Sequence, residues 1–219
     1  MVRVYVTLIV LLVVGTLAVS LALYPQLPQL VPTHWNIRGE VDGYGNKAWA
    51  AFLMPGTMAG LLLLFWAIPW LSPQRFEVDT FRSTFWFVAL VITCLLGYIQ
   101  GLILWAGLSG SVDVTRALLA GVLIMFALIG NVMGKMRRNF WMGVRTPWTL
   151  ASERVWNDTH RLAAWLFVAA AVMGLICVVL PIPLPAMSIT ILVLIMSAAL
   201  LPVLYSLFHY KRLERRGEV

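Results

Sequence analysis

The sequence predicts an all-α integral membrane protein, a bundle of about six transmembrane helices with N-terminus and C-terminus both cytoplasmic. Three observations predict it. Hydrophobic residues fill 61% of the 219 positions and charged ones only 11%, too few to clothe a soluble domain of this size. The apolar residues gather into six runs of about the 20 residues that a helix needs to cross the hydrocarbon core. The basic residues collect at one set of run ends, the positive-inside pattern.

The runs are Val4–Leu23, Trp49–Leu71, Thr84–Leu108, Ala117–Met133, Leu162–Leu180 and Ala186–Phe208. The first follows Met1-Val2-Arg3. It exceeds the roughly 7–15 apolar residues of a signal peptide, so it is expected to stay as an uncleaved span. With the N-terminus inside, thirteen of the 16 Lys and Arg fall on the cytoplasmic side, leaving Arg38, Lys47 and Arg116 outside. An even number of spans then places the KRLERR segment near the C-terminus inside as well. The division expected is a two-span unit over 1–71 with an external loop at 24–48, a linking third span over 72–116, and a three-span unit over 117–219 with a cytoplasmic loop at 134–160.

The formal charge of +7 forms no basic stripe interleaved with aromatics, so a direct nucleic-acid partner is not expected. Membrane lipids are the expected surroundings. Cys94 and Cys177 each sit inside an apolar run without metal-ligand spacing, and are expected to be buried, unpaired thiols. No cofactor motif is visible. None of the runs has an Asp, Glu, Lys or Arg in its interior, which weakens the case for an ion-coupled transporter. Gly56/Gly60, Gly97/Gly101 and Gly130/Gly134 repeat the small-xxx-small spacing that lets helix backbones approach. They are read as internal packing, with an oligomer interface left open.

The external loop is dense in Pro, Gly and Asn. Its candidate binding residues are Pro32, His34, Asn36, Gly39 and Asp42. His34, Glu40 and Asp42 match no metal spacing, so no metal is expected. Trp35 and Tyr44 are expected at headgroup level, with Gly39, Gly43 and Gly45 shaping turns. In the cytoplasmic loop, Thr146-Pro147 suits an N-cap followed by Pro at the first helical position, with Thr149 an alternative cap. A helix running from there to about His160 would place Glu153, Trp156, Asn157 and His160 on one face. A Glu and a His without a nucleophile or metal set do not make an enzyme. Arg145 stands before a helix start, where the dipole opposes a cation, so it needs a specific partner. Glu153, a lipid phosphate, or Asn131 and nearby carbonyls at the end of the fourth span would serve, and Arg145, Asn131 and His160 are expected to form one polar cluster.

Two stretches carry a resemblance. LVPTHWNIRGEVDGYGNK resembles the N-terminal domain of unknown function found in SdpI-like proteins. GNVMGKMRRNFWMGVRTPWTLASERVWNDTHRLAAWLF resembles the core of that family, through Gly130-Asn131, Arg138-Asn139, Gly143-Val144-Arg145-Thr146-Pro147-Trp148-Thr149-Leu150, Trp156 and His160. The resemblance implies a bacterial inner-membrane protein of the sporulation-delaying-protein immunity family. It implies protection from a secreted peptide toxin and, in the family's namesake, signalling to a cytoplasmic regulator. The candidate cytoplasmic site it marks comprises Asn131, Arg138, Asn139, Gly143, Arg145, Thr146, Pro147, Trp148, Thr149, Glu153, Trp156 and His160. A small-molecule or lipid transporter is the alternative reading, a membrane enzyme a more distant one.

Overall fold

The computed structural model describes residues 1–73, 78–109 and 113–219. Arg75, one of the counted cations, and the middle of the turn expected at Ser109–Thr115 lie outside the described residues. Six helices are long and apolar enough to cross a membrane. They are α1 (Val2–Leu23), α2 (Lys47–Leu71), α3 (Arg82–Ser109), α4 (Val114–Met133), α6 (Glu153–Val179) and α7 (Leu184–Glu214). A five-residue helix, α5 (Pro147–Ala151), precedes α6. Polar caps mark where several of them start. Asn46 accepts from the Trp49 N–H (2.8 Å), Asp113 from the Arg116 N–H (3.0 Å) and Ser152 from the Val155 N–H (3.4 Å).

Helices α1, α2 and α3 pack together, α4, α6 and α7 pack together, and α3 meets α4 between them. Ile9, Phe65, Phe85 and Trp86 form the core of the first group. Leu123 of α4 buries against Met187 and Ile191 of α7 and lies over Gly174 of α6. Large apolar side chains elsewhere, such as Leu11, Trp66, Ile176 and Leu204, point outward, as lipid-facing surfaces require.

The two ends of the bundle differ in chemistry. Met1 touches Ser83, Trp141 reaches Ser72, and Arg154 pairs with Glu218. Both termini, Ser72, Ser83 and the segment around 134–152 therefore share one end, here the basic end. The opposite end carries an antiparallel hairpin of β1 (Leu30–Trp35) and β2 (Val41–Asn46). There Arg116 gathers the carbonyls of Val178 (2.5 Å), Leu180 (3.2 Å) and Ile182 (3.1 Å), satisfying the end of α6.

Three expectations need correction. Gly43 and Gly45 belong to a paired strand and shape no turn. A Cβ on Gly43 would lie 2.8 Å from that of His34, so the glycines admit close cross-strand packing. Trp35 packs against Leu102, Ala106 and Val114, whereas Tyr44 is exposed. Cys94 and Cys177 are unpaired, but Cys94 is exposed. An apolar run in a membrane has lipid as well as neighbouring helices for company, so apolarity does not imply burial. For the same reason a Cβ on Gly56, Gly60, Gly101 or Gly134 would meet open space, while Gly97 and Gly130 do pack, and a Cβ on Gly130 would lie 3.2 Å from the Val168 backbone N.

Candidate functional site

The segment between α4 and α6 is folded tightly back on the bundle by the residues of the second motif. Asn139 is fully buried. Its Nδ2 donates to the carbonyls of Arg137 (2.8 Å) and Met142 (3.2 Å), and its Oδ1 accepts from the N–H groups of Trp141 (2.8 Å) and Met142 (2.9 Å). Two donors and two acceptor sites are all that a carboxamide has, so the turn consumes it. The chain then reverses at Gly143, where φ is +102°. A Cβ there would be strained, and would also overlap Nε2 of His160.

His160 holds this reversal. Its Nε2 accepts from the Val144 N–H at 3.0 Å, so the proton of the neutral ring sits on Nδ1, which donates to the Trp156 carbonyl at 2.8 Å. The imidazole stacks on the Trp156 indole with centroids 4.0 Å apart. That indole donates from Nε1 to the Met136 carbonyl at 2.8 Å. Two neighbouring turns of α6 thus fasten both ends of the segment.

The next residues build α5. Thr146 Oγ1 accepts from the Thr149 N–H (3.2 Å) and Thr149 Oγ1 accepts from the Thr146 N–H (2.9 Å), a reciprocal capping box with Pro147 at the first helical position. Thr149 also donates to the Val144 carbonyl at 2.8 Å, and Thr146 Oγ1 lies 3.1 Å from Ser206 Oγ on α7. Arg138 closes the other end of α5 by donating to the carbonyls of Leu150 (3.1 Å) and Ala151 (3.3 Å). Trp141 Nε1 donates to Ser72 Oγ at 2.8 Å, next to the end of α2.

The structure brings most of the predicted cytoplasmic residues together, but as a scaffold. The expected cluster of Arg145, Asn131 and His160 is not formed. The reversal at Gly143 turns the backbone N–H of Val144 toward His160, while Arg145 stays exposed and donates to the Phe140 carbonyl. Asn131 is exposed on α4. The single helix expected up to His160 is broken at Ser152, whose extended backbone (φ −127°, ψ 125°) ends α5 and caps α6. Thr149 is the second half of the capping box and not an alternative cap. On α6, Trp156 and His160 are buried, Glu153 is exposed, and Asn157 borders a cleft. Trp148 is half-buried beside Pro147.

At the hairpin end, the predicted external residues divide in two. Asn36 builds the tip: its Oδ1 accepts from the N–H groups of Arg38 (2.8 Å) and Glu40 (3.1 Å), and its Nδ2 donates to Glu40 (2.8 Å). Gly39, with φ +81°, completes that turn, and a Cβ on it would lie 2.7 Å from Leu184. His34 and Asp42 pair at 2.5 Å on the exposed face, and Pro32 lies in β1 opposite Tyr44. Among the described residues no group of His, Cys, Asp and Glu is placed to hold a metal ion.

Under the hairpin lies a cavity of about 310 Å³. His34, Trp35, Leu102, Leu118, Thr115 and Ser188 help to line it. The hydroxyls of Thr115 and Ser188 are buried without a hydrogen-bond partner among the described residues. Isolated hydroxyls in or beside apolar runs carry no sequence signal, and only the hairpin's position makes these two neighbours of one space.

Six apolar helices, a basic end and a covering hairpin define a multi-pass membrane protein. Comparisons with known proteins place it further. Residues 135–206 match the SdpI/YfhL protein family and residues 11–59 match a domain of unknown function, DUF1648. The chain is 27% identical over 195 residues to the Immunity protein SdpI of Bacillus subtilis (strain 168), covering 89% of this chain and 90% of that protein. The resemblance carried by the two motifs therefore extends over most of the chain. No solved structure matches it.

Proposed function

We propose that this chain is a membrane immunity protein that protects its cell by binding a secreted, membrane-active peptide at the hairpin end. The observation that carries the reading is the similarity to an immunity protein along nine-tenths of both chains. The cavity beneath the hairpin adds a place for contact. Its walls are apolar, and Thr115 and Ser188 offer two unmatched hydroxyls to the backbone amides of an entering peptide.

In this reading the basic end is cytoplasmic, because it carries the excess of Lys and Arg. Helix α4 runs from Val114 beside the cavity to Met133 at the folded segment, so it supplies a rigid path between them. Residues 1–71 and 117–219 would then act as receiving and reporting units joined by 72–116, with Arg145 and Glu153 facing a cytoplasmic regulator. No catalytic step is required.

The test is protection. The chain is expressed in a sensitive bacterium and challenged with a panel of secreted antimicrobial peptides. Survival against at least one is expected, and Ser188→Leu, which fills the cavity, should abolish it while membrane insertion persists. Failure of the inserted wild-type chain against every peptide would overturn the reading.

A further inference from the structure

At the basic end, a second and larger concavity of about 700 Å³ opens between the start of α3, the residues after α4 and the first turns of α6. Its lining includes Arg82, Lys135, Arg137 and Arg161, the carboxamide of Asn157, and one carboxylate, Asp79. Asp79 pairs with Arg82 at 3.7 Å, a weak exposed contact within one helical turn. Three other acids at this end are engaged elsewhere, Asp158 with His209 (2.9 Å), Glu214 with Lys211 (2.7 Å) and Glu218 with Arg154, while Glu153 is exposed at the start of α6. Among the described residues, Lys135, Arg137 and Arg161 have no carboxylate partner.

Three cations held without counter-charge around one concave surface repel one another, and the concavity focuses their field. If they were only solvated surface residues, nothing would turn Lys135 and Arg137, from the segment after α4, and Arg161, from α6, toward one space. We propose that this cleft binds a phosphate group. Guanidinium groups match the oxygens of a phosphate bidentately, and Asn157 supplies a neutral donor. The cleft opens just past Met133, where α4 ends, at the depth expected of lipid headgroups. The chemistry is shared by an anionic phospholipid and by a free phosphate, and the experiment separates them. The inference does not depend on the immunity reading.

The full chain, purified in detergent, is melted alone and with phosphatidylglycerol, phosphatidylcholine or inorganic phosphate. Saturating phosphatidylglycerol is expected to raise the midpoint by about 5 °C or more, and phosphatidylcholine to leave it nearly unchanged. Arg137→Gln with Arg161→Gln should lose most of that rise. Arg215→Gln with Arg216→Gln, the same charge change at the same end, should keep it. A rise with inorganic phosphate as well assigns the site to free phosphate; a rise with the lipid alone assigns it to a headgroup. Equal rises with both lipids, or equal loss in both double variants, overturn the proposal. If the cleft variant does not fold, Lys135→Gln is read in the same way.

Discussion

Replacing Gly143 by alanine attacks the reversal that holds the folded segment. Two costs follow from the structure. A side chain at φ +102° is strained by about 1–3 kcal/mol. The new Cβ also collides with His160 Nε2, so the imidazole must move and the Val144 N–H, now buried, loses its acceptor, another 1–3 kcal/mol or so. The sum is about 4 kcal/mol. At about 2–4 °C per kcal/mol for a chain of this size, the melting midpoint in detergent should fall by about 8–16 °C. His160→Ala alone should also destabilise, because it deletes the same acceptor and the indole stack. Since both changes break one hydrogen bond, the double variant should cost clearly less than the two single costs added together. A Gly143→Ala protein melting within about 2 °C of wild type, or strict additivity in the double variant, would refute the proposed latch.

Other substitutions test neighbouring parts of the argument. Asn139→Asp keeps the shape but exchanges two donors for a buried charge, and should cost at least about 3 kcal/mol in the same melt, with reduced yield. Thr149→Val should cost about 1–2 kcal/mol by emptying the capping box, and Thr149→Ser should recover most of it. Gln100, whose Nε2 bridges Ser20 and the carbonyls of Ala50 and Ala51, should tolerate Leu within about 1 kcal/mol, because its own Oε1 has no partner among the described residues. Gln100→Ala opens a cavity instead and should cost about 2 kcal/mol or more. For orientation, a cysteine at the exposed tip position Arg38, in a chain with Cys94 and Cys177 replaced by Ser, should react with an impermeant thiol reagent in intact cells, whereas one at Ser72 should not.

The six spans are legible because lipid imposes one demand on every crossing segment, and the run lengths record it directly. Thr146 and Pro147 are legible as a helix start for a similar reason, since capping is decided by neighbours in sequence. The hairpin is not. VDGYGN holds two glycines, an aspartate and an asparagine, residues poor in strands, and its strand state comes from pairing with β1, which itself packs on α3. The break at Ser152 is hidden for a subtler cause. The helical spacing of Trp156 and His160 continues upstream through Ser152, and only the pull of Thr146 toward Ser206, with Arg138 at the far end of α5, sets that turn apart from α6. Arg145 is the unusual charge of the motif, yet it stays exposed. The tightest constraint falls on Gly143, whose role needs the distant His160 against it.

The bracket between Thr146 and Ser206 also bears on how the protein is made. The two hydroxyls are 60 residues apart, so at about 5–20 residues per second the first waits roughly 3–12 s for the second to be synthesised. Until α7 has entered the bilayer, Thr146 lacks the Ser206 hydroxyl, and Asp158 has no His209 to receive it. The motif-bearing segment is therefore completed last, by the final helix, although its own residues emerge much earlier. Newly inserted chains pass through an interval in which this segment is accessible to proteases and chaperones on its side of the membrane. A chain truncated before Ser206 would remain in that interval permanently and be marked for removal.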